Sequence, residues 1–314
     1  MRPAFSMLAI AVTMAIATPS FALDKIRVGK AAAVGFSFSV LDVGIAKGYY
    51  KDAGIEIEEF SFSGAARVEQ AIAANSIDIA LSAGTDFALL AKGVPATCIA
   101  NLAGPPYDIA IIVAKDSPIK TLDDLRGKRF SASTAGGSMM EWMGKELGRV
   151  KGWKPDETKS IAVGVDRPAK VAALKTDAVD AVFDAPGMAF EMEQHGEGRL
   201  LALASDFIKD FMVHGIFARN EFIAQNEDAT KRFLAAWFKT IAFMKKNRDE
   251  TVQIIAEAVH VDPKVIGREY DLEIEMFSTD GKISPAALAK LDTAFAEPLD
   301  ISKYYTEKYL PGSR

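Results

Sequence analysis

The chain has 314 residues, with 37 Lys and Arg against 42 Asp and Glu, so its formal net charge is −5. This mildly acidic balance is mixed along the sequence and argues against nucleic-acid binding, which uses a basic stripe. Hydrophobic residues make up 49% of the chain, enough for the core of one large or two ordinary domains. The 3 histidines and the single cysteine, Cys98, are too scattered for a zinc site, so we expect no metal and no other cofactor.

The N-terminus has the pattern of a secretory signal peptide. Arg2 precedes an uncharged apolar run over residues 7–17, and Ser20-Phe21-Ala22 places small residues where a signal peptidase reads. We therefore expect residues 1–22 to be removed and the mature protein to lie in the periplasm. No cysteine lies near the cleavage point, so we expect no lipid anchor. No later stretch has the roughly 18 consecutive apolar residues of a spanning helix.

After residue 22, short β-rich runs alternate with amphipathic helices. The predicted strands cover residues 26–30, 55–60, 77–81, 97–101, 109–114, 128–133, 160–163, 178–183, 200–204 and 214–218. The predicted helices between them cover residues 36–47, 65–74, 86–91, 137–150, 167–175 and 188–195. This alternation predicts βαβ units, mostly parallel sheets and an α/β fold class.

The last third of the chain is predicted to be helical, over residues 228–246, 248–259, 263–269 and 284–295. In the first of these helices Phe233, Leu234 and Trp237 recur at helical spacing. Such a stripe is more typical of a helix that covers a sheet than of a cofactor site.

Two α/β series followed by a helical tail predict two lobes, with the chain crossing twice between them. We place the crossings at residues 104–108 and 209–214. Gly104-Pro105-Pro106 marks the first, because it continues neither a helix nor a sheet. Lobe I is then predicted to comprise residues 23–108 and 213–314, and lobe II residues 109–212.

Four stretches carry a resemblance to a known family. They are AKGYYKDAGIEI at residues 46–57, the helix and turn from 64 to 95 with ANSIDIA and AKGVP, IKTLDDLRGKR at 119–129 with the Ser/Gly turn at 133–138, and VAAL through VDAVF at 171–183. In this order and spacing they resemble the nitrate/sulfonate/taurine- and thiamine-precursor-type substrate-binding proteins of ABC transporters, the NMT1/THI5-like family. The resemblance implies a type II periplasmic binding fold, with two doubly wound lobes, two hinge crossings and a ligand clamped between the lobes.

Ligands of open α/β sheets lie beyond the carboxyl ends of the strands, so the turns after the strands are the candidate contacts. In lobe I these turns and the first crossing offer Gly35, Phe36, Phe38, Ser63, Gly64, Ser82, Gly84, Thr85, Asp86 and Tyr107. Glycines let a backbone approach a ligand, and phenylalanines pack on its planar or apolar parts. The phenylalanines could equally join the core, and Ser, Thr and Asp are also ordinary helix N-caps.

In lobe II the best candidate is the turn at residues 133–138, with Thr134, Gly136, Gly137 and Ser138 directly before a helix. Hydroxyls, glycines and backbone N–H groups at a helix start suit a carboxylate or a sulfonate.

Three charged or titratable side chains complete the candidate set. Arg167 could grip an anion, or it could be a surface arginine paired with Asp166. Asp184 stands where the family commonly has Glu-Pro, and a carboxylate in the cleft would favour an amine or a hydroxyl on the ligand. His214 lies at the return crossing, where it is either a ligand contact or a satisfied hinge residue.

The sequence favours a monomeric solute-binding protein that delivers a small molecule to an ABC permease and its ATPase. We expect the ligand to be an organic acid, either a sulfonate or a carboxylate, that could carry an aromatic ring, with a pyrimidine-type thiamine precursor as the alternative. An enzyme on the same fold is disfavoured because Cys98 stands alone and no acid/base pair is evident. A sensor that docks on a receptor kinase needs the same clamp, so the sequence does not distinguish it from a transport protein. A transcription-factor effector domain, in contrast, conflicts with export.

Overall fold

The computed structural model describes residues 23–132, 138–295 and 297–313, so the predicted signal peptide lies outside it. Each predicted strand overlaps an observed one. The strands are β1 Asp24–Lys30, β2 Ile55–Ser61, β3 Ile79–Ala83, β4 Ala96–Ala103, β5 Ala110–Ala114, β6 Arg129–Ala132, β7 Lys159–Ala162, β8 Val182–Asp184, β9 Gly198–Leu203 and β10 His214–Arg219. The helices are α1 Val40–Ala46, α2 Tyr49–Asp52, α3 Ala65–Ala73, α4 Phe87–Ala91, α5 Met139–Lys151, α6 Arg167–Lys175, α7 Pro186–Gln194, α8 Asn220–Gln225, α9 Glu227–Met244, α10 Arg248–Val259, α11 Pro263–Glu273 and α12 Pro285–Asp292.

The first sheet joins β1 to β4 with the return strand β10, in the order β2-β1-β3-β10-β4. β1 runs parallel to both β2 and β3, as the βαβ pattern predicts. β10 is antiparallel to β3 and β4, with Ile216 opposite Leu81. This strand is reached from the second crossing and not from a βα crossover, which explains its reversed direction.

The second half of the fold repeats this arrangement. β5 lies between β8 and β9 and is antiparallel to both, while β6 and β7 pair in parallel. A bridge between Phe130 and Ala181 connects the two parts. β8 starts later than predicted because the Asp180 side chain, and not a backbone carbonyl, is the acceptor for the neighbouring strand at this position. Its carboxylate accepts the Arg129 N–H at 2.8 Å.

One predicted helix is divided. Phe36–Phe38 form a separate 3₁₀ turn, and α1 begins only at Val40. Between them the Ser39 hydroxyl donates to the Gly35 carbonyl at 2.8 Å, which closes the turn before the helix starts.

The C-terminal helices cover sheets, as the stripe in α9 predicts. Phe233, Leu234 and Trp237 are completely buried in the main core. α11 lies between the two halves, because Ile266 belongs to the main core whereas Val265 belongs to a smaller cluster with Phe190 of α7. Within the described residues, none of the helices is both long and apolar enough to cross a membrane.

Candidate functional site

The two crossings touch each other at the end of the first sheet. The Val213 N–H donates to the Ala103 carbonyl at 2.9 Å, and the Gly84 N–H donates to the Val213 carbonyl at 2.9 Å. A Cβ on Gly84 would lie 2.1 Å from the Met212 oxygen, so only glycine permits this approach. The turn after β3 and the return crossing are therefore held in direct contact.

Three buried polar side chains meet at this contact, and we call Ser37, Asp108 and His214 the crossing cluster. The Ser37 hydroxyl donates to Asp108 Oδ2 at 2.6 Å, and His214 Nε2 lies 2.5 Å from the same oxygen. Their exposed fractions are 8%, 3% and 7%. Burial alone raises the pKa of Asp108, but the neighbouring His214 and the two hydrogen bonds outweigh it, so this pKa lies below its ordinary value.

Phe38, Ser82 and Asp86 surround the crossing cluster. The Phe38 and His214 rings meet edge to face with centroids 4.8 Å apart. The Ser82 hydroxyl donates to the Asp86 carboxylate. Burial raises the pKa of Asp86 to about 7, against the lowering effect of that hydrogen bond and of His214. Four candidates from three separate parts of the sequence are thus brought together: Phe38, the pair Ser82 and Asp86, and His214.

Arg167 and Asp184 lie on lobe II, paired with each other. Asp184 Oδ2 accepts from Lys170 Nζ at 2.7 Å, and Arg167 Nε lies 3.4 Å from Asp184 Oδ1. Arg167 Nη1 also lies 3.5 Å from Glu191 Oε2. The arginine therefore faces Asp184 and Glu191, and its charge is largely balanced by two carboxylates.

The start of α5 is described from Ser138 onward, while Thr134, Gly136 and Gly137 lie outside the described residues. The Ser138 hydroxyl caps the helix by accepting the Glu141 N–H at 3.3 Å. One turn later, the Trp142 ring stacks on Phe211 of the second crossing, with centroids 4.8 Å apart and planes 18° apart. The N-terminal part of α5 is thus fixed against the crossing.

The remaining lobe I candidates divide between core and surface. Phe36 is 1% exposed and packs against Tyr270 and Phe277, with ring centroids 5.9 and 5.7 Å away. The other candidates are partly or fully exposed and lie in loops or turns of lobe I: Gly35, Ser63, Gly64, Thr85 and Tyr107. Gly35 and Gly64 have φ angles of 147° and 98°, which glycine adopts without strain.

Sequence reasoning missed two buried carboxyls on α11. Glu269 Oε1 accepts the Gly187 N–H at the start of α7, at 3.0 Å. Glu273 is 1% exposed, and neither of its oxygens has a hydrogen-bond partner among the described residues. Burial, then Glu269 and Asp108, raise its pKa. Their spacing could have identified them. Positions 265, 269 and 273 are each four residues apart, so the two carboxyls share one face of the helix with the buried Val265.

Other observations bear on alternative sites. In the described parts of the chain, no three His, Cys, Asp or Glu side chains are placed to hold a metal ion. A surface groove of about 410 Å³ runs between α6 and α7, but its lining contains none of the crossing-cluster residues. Cys98 is buried in β4, and burial raises the pKa of its thiol, which makes it a poor nucleophile.

Comparisons with known proteins agree with the predicted fold and family. A family model described as NMT1/THI5 like matches residues 36–251. A Brucella abortus protein, named provisionally as a binding protein, is 26% identical over 327 residues, covering 98% of each chain. The Escherichia coli periplasmic aliphatic sulphonate binding protein SsuA superposes with a TM-score of 0.74 at 18% identity, covering 90% of this chain and 91% of its own. The desulfurization enzyme DSZB superposes with a TM-score of 0.62 at 15% identity, covering 92% and 98%. The predicted two-lobed periplasmic binding fold is confirmed.

Proposed function

The chain belongs to the NMT1/THI5-like family, and from this membership we propose that it is an exported, monomeric solute-binding protein of an ABC importer. It closes lobe I, residues 23–108 and 213–314, and lobe II, residues 109–212, on a small organic molecule and presents the closed form to a permease. The observation that carries this proposal is the crossing cluster. It places a buried carboxylate and an imidazole where the crossings meet, beside the carboxyl ends of the parallel strands.

For the ligand we propose an organic acid, a sulfonate or a carboxylate. The 13-residue helix α5 begins at the second lobe's candidate turn, and the positive end of such a helix favours an anionic group. Stacked Trp142 and Phe211 beside it offer an apolar surface for the rest of the molecule. A similar protein, SsuA, is named for binding aliphatic sulphonates. A pyrimidine-type thiamine precursor is the alternative.

Two other functions compete with import. An enzyme is the weaker one, although DSZB shows that an enzyme can have this fold. The single cysteine is buried and burial raises the pKa of its thiol, which makes it a poor nucleophile. A sensor that docks on a receptor kinase uses the same closing clamp, and its gene neighbours would distinguish it from an importer.

The proposal is tested by thermal shift of the purified protein against sulfonates, carboxylates, nitrate and pyrimidines. A ligand at about 100 times its Kd stabilises the fold by about 2.7 kcal/mol. We expect Ser138→Ala to reduce the shift caused by an acid. Ser284→Ala is the matched control, because Ser284 caps α12 by accepting the Ala287 N–H at 3.1 Å.

Both substitutions remove an N-cap and lower the stability of the free protein by about 1 kcal/mol. Only Ser138→Ala should also reduce the rise in melting temperature that an acid ligand causes. Equal ligand shifts in the two variants would contradict the acid site at α5. Turnover of a panel member without a stabilising shift would contradict the transport function itself.

A further inference from the structure

We infer that Glu269 of α11 is a positioning residue that holds lobe II against lobe I most firmly while its carboxyl carries a proton. This inference rests on the proposed function, because α11 belongs to lobe I of the proposed clamp and α7, which Glu269 contacts, belongs to lobe II. It deepens that function by making closure of the clamp, and with it the affinity for the ligand, depend on pH.

The Glu269 carboxyl reaches from α11 to the backbone of α7. Its Oε1 accepts the Gly187 N–H at 3.0 Å. A Cβ on Gly187 would lie 2.3 Å from that oxygen, so the carboxyl lies directly against the backbone. Gly187 is the second residue of α7, and the first N–H groups of a helix have no partner within the helix. Glu269 therefore satisfies a donor that α7 itself leaves open.

A neighbouring ion pair extends this contact along α7. Arg268 Nη2 donates to Glu193 Oε2 at 2.8 Å, and Arg268 Cζ lies 3.6 Å from the centroid of the Phe190 ring. A guanidinium over an aromatic ring is attracted by the ring's negative face. We call these three residues, together with Gly187 and Glu269, the lobe contact. It joins the two proposed lobes through side chains outside the crossing cluster.

Charged groups of lobe II act on Glu269 in both directions. Burial raises its pKa to about 7, and Glu191 and Asp184 act in the same direction. Arg167 and the hydrogen bond from Gly187 oppose these effects. The Arg167 guanidinium already lies 3.4 Å from an Asp184 oxygen and 3.5 Å from a Glu191 oxygen. An ionised Glu269 would thus be the third carboxylate around one arginine.

The neighbours of Glu269 within lobe I do not offset this excess of acid. Glu273, one turn further along α11, is buried, and burial and then Glu269 raise its pKa. On α10, which packs against α11, Arg248 Nε donates to Asp271 at 2.7 Å. The 3₁₀ turn at residues 36–38, which also packs against α11, carries no charged side chain. A negative charge on Glu269 is therefore disfavoured while the lobe contact is made.

Separation of the lobes would change the surroundings of Glu269. Its carboxyl would reach water and leave Asp184 and Glu191, so its pKa would return towards the ordinary value of 4.5. The joined form then holds a proton that the separated form releases between about pH 4.5 and pH 7. Because the joined form binds more protons in this window, each rise in pH favours separation. The lobe contact is strongest at low pH and weakens as the pH passes through about 7.

Hydrogen exchange of the ligand-free protein, followed by NMR, tests the lobe contact directly. The Gly187 N–H exchanges only when its bond to Glu269 opens, and its protection factor is corrected for the intrinsic rate at each pH. We expect this factor to fall at least about tenfold between pH 5.5 and pH 8. In Glu269→Gln, which keeps an acceptor oxygen but cannot ionise, it should stay constant within about twofold.

The control amide is that of Arg129, which donates to the Asp180 carboxylate at 2.8 Å within lobe II. Hydrogen bonds from Arg129 hold the pKa of Asp180 below its ordinary value, so this carboxylate is ionised at both pH values. The protection of the Arg129 N–H should therefore be the same at both. Gly187→Ala breaks the lobe contact from the other side and should leave the N–H of residue 187 weakly protected at every pH.

Ligand binding tests whether the lobe contact positions lobe II for closure. Isothermal calorimetry with butanesulfonate is suitable, because the anion of this strong acid keeps its charge throughout the pH range. We expect its Kd to rise about tenfold from pH 5.5 to pH 8 in the wild type. In Glu269→Gln the two Kd values should agree within about twofold.

Glu146→Gln is the matched control for calorimetry. Glu146 of α5 accepts from Lys290 of α12 at 2.8 Å, so it also joins the proposed lobes through a buried carboxyl. Burial would raise its pKa, but hydrogen bonds from Arg149 and Lys290 outweigh burial and lower it. Glu146 therefore stays ionised from pH 5.5 to pH 8. Its replacement should change the Kd by the same factor at both pH values.

Three results would overturn the inference. The first is a Gly187 protection factor that does not change with pH in the wild type. The second is an equal fall of this factor in Glu269→Gln, because another group would then release the proton. The third is a butanesulfonate Kd that is independent of pH although the protection changes. If butanesulfonate fails to bind at every pH, the proposed acid ligand is contradicted, while hydrogen exchange still decides the role of Glu269.

Discussion

Replacement of Gly104 by alanine is expected to lower the free energy of unfolding by about 3 kcal/mol or more. An added Cβ would lie 2.0 Å from the Phe211 oxygen and 3.0 Å from its carbonyl carbon. These are backbone atoms of the second crossing, so no side-chain rotation can relieve the overlap. Gly84→Ala meets the Met212 carbonyl in the same way and should have a similar effect. Urea denaturation of each variant measures the loss.

Gly144→Ala is the control for this pair. Gly144 lies inside α5, and its Cβ would come no closer than 3.8 Å to the Phe130 ring. Alanine is the better helix former, so this variant should be about 0.5–1 kcal/mol more stable than the wild type. If Gly104→Ala proved as stable as Gly144→Ala, the two crossings would not approach each other as closely as described. Ligand affinity should fall with Gly84→Ala and Gly104→Ala only.

The elements of the fold were predictable because their signals are local. β1 and β4 read as short apolar runs bounded by turn residues, and α6 begins and ends at the predicted residues. The antiparallel direction of β5 and β10 was not predicted, since it depends on the sheet that each strand joins. The late start of β8 has a similar cause, because Asp180 binds a backbone group 51 residues away.

The site was predictable only in part. The rule that ligands lie beyond strand ends directed attention to the segments that hold Asp86 and His214, and these two side chains do lie near each other in the fold. It passed over Asp108 in favour of its neighbour Tyr107. The partners of Asp108 are 71 and 106 residues away in the chain, so no local pattern could identify it. Arg167 was a candidate contact for an anion, but in the structure it pairs with Asp184 and Glu191. This pairing depends on how α6 and α7 pack, which no local pattern in the sequence shows.

Buried carboxyls that hold protons are a second property that emerges from packing. Burial raises the pKa of Glu69 to about 9, with Asp86 as a further cause, and raises the pKa of Glu269 to about 7. Glu69 is 1% exposed on α3, and neither of its oxygens has a partner among the described residues. Such a carboxyl is stable in the folded protein only in its neutral form.

Stability should therefore fall as the pH rises from about 5 to about 9. In the folded protein these groups keep their protons, whereas the unfolded chain releases them near the ordinary carboxyl pKa of 4.5. The folded state thus binds more protons across this window, and each step up in pH favours unfolding. For Glu69 alone the loss across the window is on the order of several kcal/mol.

Glu69→Gln should remove much of this slope. Glutamine resembles the protonated acid in shape and cannot ionise, so the variant should match the wild type near pH 5 and exceed its stability at pH 8 by several kcal/mol, on the order of the loss it avoids. Urea denaturation at pH 5, 6.5 and 8 measures the difference. Glu257→Gln is the control, because Glu257 is exposed on α10 and its loss should leave the slope intact. A Glu69→Gln slope equal to that of the wild type would show that Glu69 is ionised in the folded protein, and a partner for its charge would then have to exist.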